Sequence, residues 1–193
     1  MKKNLTIAVL FTLVTTVLFG LIYPLVVTGL AQVLFRDRAN GQLIERGGQV
    51  VGSRIIGQEF NGAGYFHSRP ATPGIGYDGM SSGGSNFGPT NKALIERVKG
   101  SVAEARAENP GAAVPVDLVT ASGSGLDPDI SPAAANFQIP RVAKERHASE
   151  ADIAALVGAY TRKRQLGFLG EPRVNVLELN LALDQKWPTH STN

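Results

Sequence analysis

From Asn4 to Phe35 the chain runs for 32 residues without one Asp, Glu, Lys, Arg or His. A helix needs about 20 apolar residues to cross a hydrocarbon core of about 30 Å, so this run predicts a membrane-spanning helix with residues to spare. Leu5 to Val27 is its most apolar part. Thr12, Thr16 and Gly20 recur every four residues and so stack on one helical face. Small side chains at that spacing let a second helix approach closely in lipid, which makes these three the candidate helix-packing residues. Pro24 predicts a kink near the far end, because proline removes a backbone donor and crowds the carbonyl four residues before it. Gly29-Leu30-Ala31 resembles a signal-peptide cleavage site. A signal peptide's apolar core is only about 7–15 residues, however, and here the apolar run continues through Val33, Leu34 and Phe35. The pattern predicts an uncleaved anchor.

Beyond Phe35 the pattern breaks into shorter pieces. Residues 47–90 hold 12 of the 22 glycines, with Ser, Pro and Asn between them. Val50-Val51 and Ile55-Ile56 are short apolar pairs with the size of strands. A disordered linker has a similar composition, but Phe60, Tyr65, Phe66, Tyr77 and Phe87 are interspersed, and that predicts an ordered, loop-rich lobe. A helix follows, capped by Thr90 or Asn91, with Leu94, Val98, Val102 and Ala105 on one face and Asn109-Pro110-Gly111 as its stop. Val114 to Thr120 predicts a short strand. Ser131-Pro132 starts another helix, a capping Ser followed by Pro at the first helical position. Pro140 is expected to break it, leaving a second piece from Arg141 to Arg146. Ser149 with Asp152 opens a helix whose face is Ile153, Leu156, Val157 and Tyr160. Gly167 and Gly170-Glu171-Pro172 end that region. Val176 to Trp187 alternates like a strand at its leucines. Val176, Leu179, Leu183 and Trp187 also share a helical face, and Asn175 with Glu178 reads as a cap, which favours helix. The sum is an α+β fold: a single N-terminal transmembrane helix followed by one mixed α/β domain of roughly 155 residues, enough for its own core.

Charge decides the orientation. Lys2, Lys3 and the terminal amine precede the apolar run, whereas Arg36, Asp37 and Arg38 after it net one positive charge. The positive-inside rule places residues 1–6 as a cytoplasmic tail, 7–35 as the span with a juxtamembrane extension, and 36–193 as an extracytoplasmic domain of a single-pass membrane protein; in a cell with two membranes that is the periplasmic side of the inner membrane. From Arg36 onward 17 basic residues face 16 acidic ones. The pI of about 9.3 therefore reflects no clustered excess of the kind that grips nucleic acid. There is no cysteine, which excludes disulfides, thiolate metal sites and Cys nucleophiles.

Several catalytic-looking motifs fail on context. Gly74-Ile75-Gly76-Tyr77-Asp78-Gly79 spells a dinucleotide fingerprint, but Pro70 and Pro73 precede it where a strand is required. Gly-Lys-Ser/Thr occurs nowhere. Ser122-Gly123-Ser124-Gly125 lacks the glycine that precedes a nucleophile elbow. His67, His147 and His190 are far apart in sequence, so a hydrolase pairing Ser122 or Ser124 with His67 or His147 stays an alternative that spacing does not demand, as does a stand-alone periplasmic binding module. No metal-ligand spacing is present.

Two stretches remain unusual. Ser81 to Asn91, with Ser82, Gly83, Gly84, Ser85 and Asn86 at its centre, leads into a helix N-terminus. Its amides and hydroxyls suit either an anion-binding nest or a turn that satisfies its own backbone, and elementary turn chemistry favours the second. The other stretch is Ala121 to Pro132, carrying Ser122, Ser124, Asp127, Asp129 and Ser131. A cation, a partner Arg, or Asx-turn and capping roles would each explain it.

These residues resemble the KdpC family, the small single-span component of the Kdp-type potassium-transporting P-type ATPase. The likeness runs from the span ending near Tyr23-Pro24 through Gly64-Tyr65-Phe66-His67-Ser68-Arg69-Pro70, Ser82 to Asn86 and Gly88 to Asn91. It continues through Asp117 to Pro128, Ile130 to Ala134, Gln138, Arg141 to Ala143, and Gly170 to Leu177. One position departs: the family usually has His where this chain has Asp129, which keeps hydrogen-bond acceptance and loses the imidazole. The resemblance implies a non-catalytic subunit that binds no cofactor tightly and helps hold a channel-like potassium-selecting subunit and a P-type ATP-hydrolysing subunit together in lipid. The phosphorylation motif Asp-Lys-Thr-Gly-Thr of such pumps is absent here. It also implies a catalytic chaperone that raises the pump subunit's affinity for ATP, with Ser82 to Asn86 the natural loop for any contact with nucleotide. Contact of that kind conflicts with a periplasmic domain. Transmission through helix packing and the outer face does not.

Overall fold

In the computed structural model, which describes residues 1–72 and 76–188, the chain divides into two compact units, Met1–Leu43 and Ile44–Asn193. The first is the apolar helix. Helix α1 spans Lys2–Val17, a π-helical turn spans Leu18–Ile22, and α2 spans Tyr23–Leu34; together they form the one helix among the described residues long and apolar enough to cross a membrane. The π turn lies directly before Pro24, where the sequence predicts the kink. Pro24 cannot donate to the carbonyl of Gly20, and its ring crowds that carbonyl. One extra residue in the preceding turn relieves the conflict, and Tyr23 N–H reaches back five residues to the Leu18 carbonyl. A short helix α3, Arg36–Ala39, closes the unit, and the amides of Gln32 and Asn40 exchange hydrogen bonds of 3.1 and 3.2 Å.

The second unit is the α+β domain. Strands β1 (Leu43–Arg46) and β2 (Gln49–Ser53) form a two-stranded sheet turned at Gly47-Gly48. The pair Val50-Val51 is thus in a strand, whereas Ile55-Ile56 falls in a turn. Helix α4, Lys92–Glu108, is capped by Asn91, whose side chain accepts from Ala93 N–H. The strand expected at Val114–Thr120 is instead a single 3₁₀ turn at Val116–Leu118; Pro115 fixes the first φ, and Leu118 and Val119 N–H bond back to the Pro115 and Val116 carbonyls rather than across a ladder. Strand β3 (Asp129–Ile130) leads into α5, Pro132–Glu145, capped by Ser131. Pro140 does not break α5: it lies on the exposed side, where the helix continues past its missing donor. Helix α6, Glu150–Tyr160, is capped by Ser149, and α7, Val176–Lys186, by Asn175. Between them lie β4 (Thr161–Arg162) and β5 (Arg173–Asn175). The three short strands form an antiparallel sheet in the order β3-β5-β4, with Ile130 and Thr161 both opposite Val174.

The core forms where α5, α6 and α7 meet this sheet. Ala134, Ile139 and Val142 from α5 pack with Ile153, Leu156 and Val157 from α6 and Val176, Leu179 and Leu183 from α7. A smaller cluster, Ala105, Val119 and Phe137, seats the C-terminal half of α4. The glycine-rich lobe is anchored by Phe66, which is completely buried in the main core, with Phe60 packed against it.

Candidate functional site

Phe66 follows a turn in which Tyr65 N–H bonds back to the Gly62 carbonyl, in a stretch with no regular secondary structure. Five consecutive carbonyls, Ala63 to His67, are each met by a side chain from α5 or α7 or the turn after α5. Arg141 donates to Ala63 and, at 2.8 Å, to Tyr65; Arg146 donates to Gly64 at 2.7 Å. Asn180 Nδ2 donates to Phe66 and Gln138 Nε2 to His67. Asn180 Oδ1 and Gln138 Oε1 take the Phe66 and His67 N–H groups, both at 2.8 Å. Buried backbone polar groups must be paired, and here side-chain amides and guanidiniums replace a β-ladder. Arg146 also pairs with Asp184 at 2.8 Å and lies 4.5 Å over the Tyr65 ring.

This segment delivers Arg69 to the loop Ala121–Pro132. Arg69 Nη1 meets Asp127 Oδ2 at 3.0 Å, and its other nitrogens reach the Thr120 and Ala121 carbonyls. Tyr77 OH donates to the Arg69 carbonyl, and burial pushes its phenol up from the usual value. Asp127 Oδ1 accepts from Asp129 N–H, an Asx turn. Asp129 pairs with Arg173 at 2.9 Å and accepts from Asn175 Nδ2 at 3.1 Å. Burial raises its carboxyl above the ordinary 3.8, with Asn175 and Arg173 opposing that rise. Asp117 accepts from both the N–H and the hydroxyl of Ser131, at 2.7 and 3.1 Å, while Ser131 Oγ caps α5 through Ala134 N–H. Arg69, Asp117, Asp127, Asp129, Ser131 and Arg173 thus surround an open groove of about 530 Å³.

The structure brings the two unusual loops together. Gly83 N–H and Ser82 Oγ both donate to the Ser124 carbonyl, at 2.8 and 3.1 Å, and Thr72 Oγ1 donates to Gly83 O at 2.5 Å. Contact is so close that a Cβ on Gly84 would stand 3.2 Å from the Gly123 carbonyl. Gly125 requires its glycine twice over: φ is +69°, and a Cβ would meet Gly83 O at 2.8 Å. Asn86 turns the chain away at φ +53°. Donors expected of an anion nest are in part spent here on the partner loop.

The hydroxyls expected of a hydrolase are also engaged. Ser122 Oγ accepts from Gly125 N–H and Ser124 Oγ from Leu126 N–H. His67 Nε2 lies 3.1 Å from the Gly62 carbonyl, so that nitrogen carries the proton. Burial, with the charge of Arg141 adding to it, lowers this imidazole's pKa. Gly74, Ile75 and His190 lie outside the described residues. No group of three metal-ligating side chains occurs among the described residues. In the membrane helix, Thr16 Cγ2 lies 3.9 Å from where a Gly20 Cβ would stand. Sequence patterning singled out Asp127, Asp129 and Ser131 but missed the partners that hold them, Arg69, Asp117 and Arg173. All three sit inside the stretches that carried the family resemblance, which was the only signal for them.

Comparison with known proteins bears on the whole chain. The family profile described as KdpC: K+-transporting ATPase, c chain matches residues 5–185. The potassium-transporting ATPase KdpC subunit of Koribacter versatilis is 59% identical over 188 residues, 97% of this chain and 97% of its own length. Its namesake from Acidobacterium capsulatum is 60% identical over 184 residues, 95% of this chain and 98% of its own. That of Rhodopseudomonas palustris is 56% identical over 200 residues, 97% and 100% respectively.

Proposed function

Since the chain belongs to the KdpC family of K+-transporting ATPase c chains, we propose that it is the non-catalytic, membrane-anchored subunit that joins a channel-like potassium-selecting subunit to a P-type ATP-hydrolysing subunit. The observation that carries this is the contrast between its two units. The domain has a complete core of its own. The helix Lys2–Leu34 has no buried residue and is apolar on every side, so it needs lipid and neighbouring helices around it. Thr12, Thr16 and Gly20 form the face for such a neighbour. The absence of the pump phosphorylation motif supports placing ATP hydrolysis on another chain.

The charge asymmetry across the span supports a cytoplasmic N-terminus and a periplasmic domain. With that orientation the chaperone effect on ATP affinity travels through helix packing and the outer face. Ser82 to Asn86 then serves as a partner-facing loop braced by Ser124 instead of a nucleotide cradle. Gly20→Leu tests the helix face: co-purification with the larger subunits from membranes of potassium-starved cells falls, and an undiminished yield would sink the assignment. Orientation is read by protease added to intact spheroplasts, which should remove the domain. Protection of the domain there would revive direct nucleotide contact.

A further inference from the structure

The connection between β4 and β5 shows three large apolar side chains to solvent: Leu166 is 82% exposed, Phe168 68% and Leu169 47%. This is not a slack loop. Gln165 and Leu169 exchange backbone hydrogen bonds of 2.9 Å in both directions, which closes a tip of Leu166, Gly167 and Phe168. Leu166 is held at φ +53° and Gly167 at +83°, and the left-handed region is rarely occupied by a leucine. A turn that fixes its apolar side chains outward marks a contact surface.

The surroundings say what kind. Arg162, Lys163 and Arg164 lead into the tip, against the single carboxylate of Glu171 on the way out. Arg164 pairs with Glu171 and Arg162 with Glu178, which also meets Arg54; within residues 162–171 three cations stand against one carboxylate, so the apolar point has a positive surround. The root of the hairpin lies at the domain's point of entry. Arg54 directly follows β2, and the Gly47-Gly48 turn brings the end of β2 back beside the start of β1. Only eight residues, at most about 30 Å of chain, separate the end of α2 at Leu34 from β1 at Leu43.

We propose that Leu166, Phe168 and Leu169 form a fingertip that inserts into the headgroup region of the bilayer, with Lys163 and its neighbouring arginines on anionic lipid. An apolar tip ringed by cations is the composition that an anionic membrane surface binds. The inference rests on the reading of Lys2–Leu34 as a membrane span. It gives the domain a second attachment, which fixes how the domain stands on the membrane.

The chain has no cysteine, so a single one can carry a bimane probe. Phe168→Cys and, as a control in another loop, Met80→Cys (98% exposed) are labelled in the full chain. Each is reconstituted in nanodiscs of phosphatidylglycerol with phosphatidylcholine, or of phosphatidylcholine alone, containing headgroup-labelled nitroxide lipid. At position 168 quenching at least twofold stronger in the anionic discs is expected, halved by Lys163→Glu, with none at position 80. A chain that enters the discs with an unquenched probe at 168 overturns the fingertip alone, as does shielding that appears only when the larger subunits are added. Quenching indifferent to lipid charge and to Lys163→Glu overturns the anionic assignment. A chain that stays outside the discs overturns the anchor and the fingertip together.

Discussion

Asn180 holds both backbone polar groups of Phe66, accepting its N–H at 2.8 Å and donating to its carbonyl at 2.9 Å, across 114 residues of sequence. One carboxamide on α7 thereby does what a neighbouring strand does in a sheet. It is 1% exposed, and Phe66 is completely buried, so neither backbone group has water to fall back on.

Asn180→Ala therefore strands a donor and an acceptor in the core. Each unsatisfied group costs about 1–3 kcal/mol, so a loss of about 2–6 kcal/mol and a fall in Tm on the order of 10 °C are expected. Thermal unfolding of the full chain in detergent micelles reads it. A loss below about 1 kcal/mol would mean that Asn180 is not the partner of Phe66.

Arg141 serves the same segment with a fork: Ala63 and Tyr65 from one nitrogen, Gln138 from another, and Glu108 at 2.9 Å. Lysine keeps the charge and loses that geometry. Arg141→Lys should cost about 1.5–3 kcal/mol in urea unfolding, and an unchanged midpoint would show that charge alone suffices.

Gly125→Ala places a Cβ 2.7 Å from Thr72 Oγ1 and 2.8 Å from Gly83 O at a φ of +69°. Strain at such a position is about 1–3 kcal/mol before any clash. Protease sensitivity between residues 76 and 90 should rise as the two loops part. Gly123, with open space around its would-be Cβ, should accept Ala without that change. Equal behaviour of the two variants would remove the loop–loop contact from the account.

Asp129 sets one pH dependence. Its folded carboxyl titrates above the ordinary 3.8 because it is buried. The folded state therefore binds the proton more tightly than the unfolded chain. Its contribution to stability is greatest below 3.8 and declines as pH rises through the folded pKa. The difference in urea midpoint between this protein and Asp129→Asn should shrink or reverse sign over that rise. A difference constant with pH would contradict the burial.

His67 works in the opposite sense. Burial first, then Arg141, depresses its pKa below 6.5, so the neutral ring is the folded form. The stability it lends is present above 6.5 and is lost as pH falls through the depressed value. An imidazole proton resonance titrating at or above 6.5 would refute this.

What the amino-acid order determined by itself is whatever closes within a turn or two of chain. Asn91, Ser131, Ser149 and Asn175 were readable as caps because each side chain bonds an N–H two or three residues ahead. The membrane helix was readable because its apolar run is continuous, and the faces of α6 and α7 because their periods are. Tertiary structure decided the rest. Strands β3, β4 and β5 are two or three residues long, too short for alternation to register, and they exist only through pairing with one another. Pro140 stayed within α5 because packing of its buried face outweighs one missing hydrogen bond. Val114–Thr120, apolar enough for a strand, found no ladder to join. The irregular segment Ala63–His67 is held in place because side chains more than 70 residues away took up its carbonyls. Local hydrogen bonds and periodicity are written in neighbouring letters; a buried carbonyl accepts whichever donor the fold delivers, and only the folded chain names it.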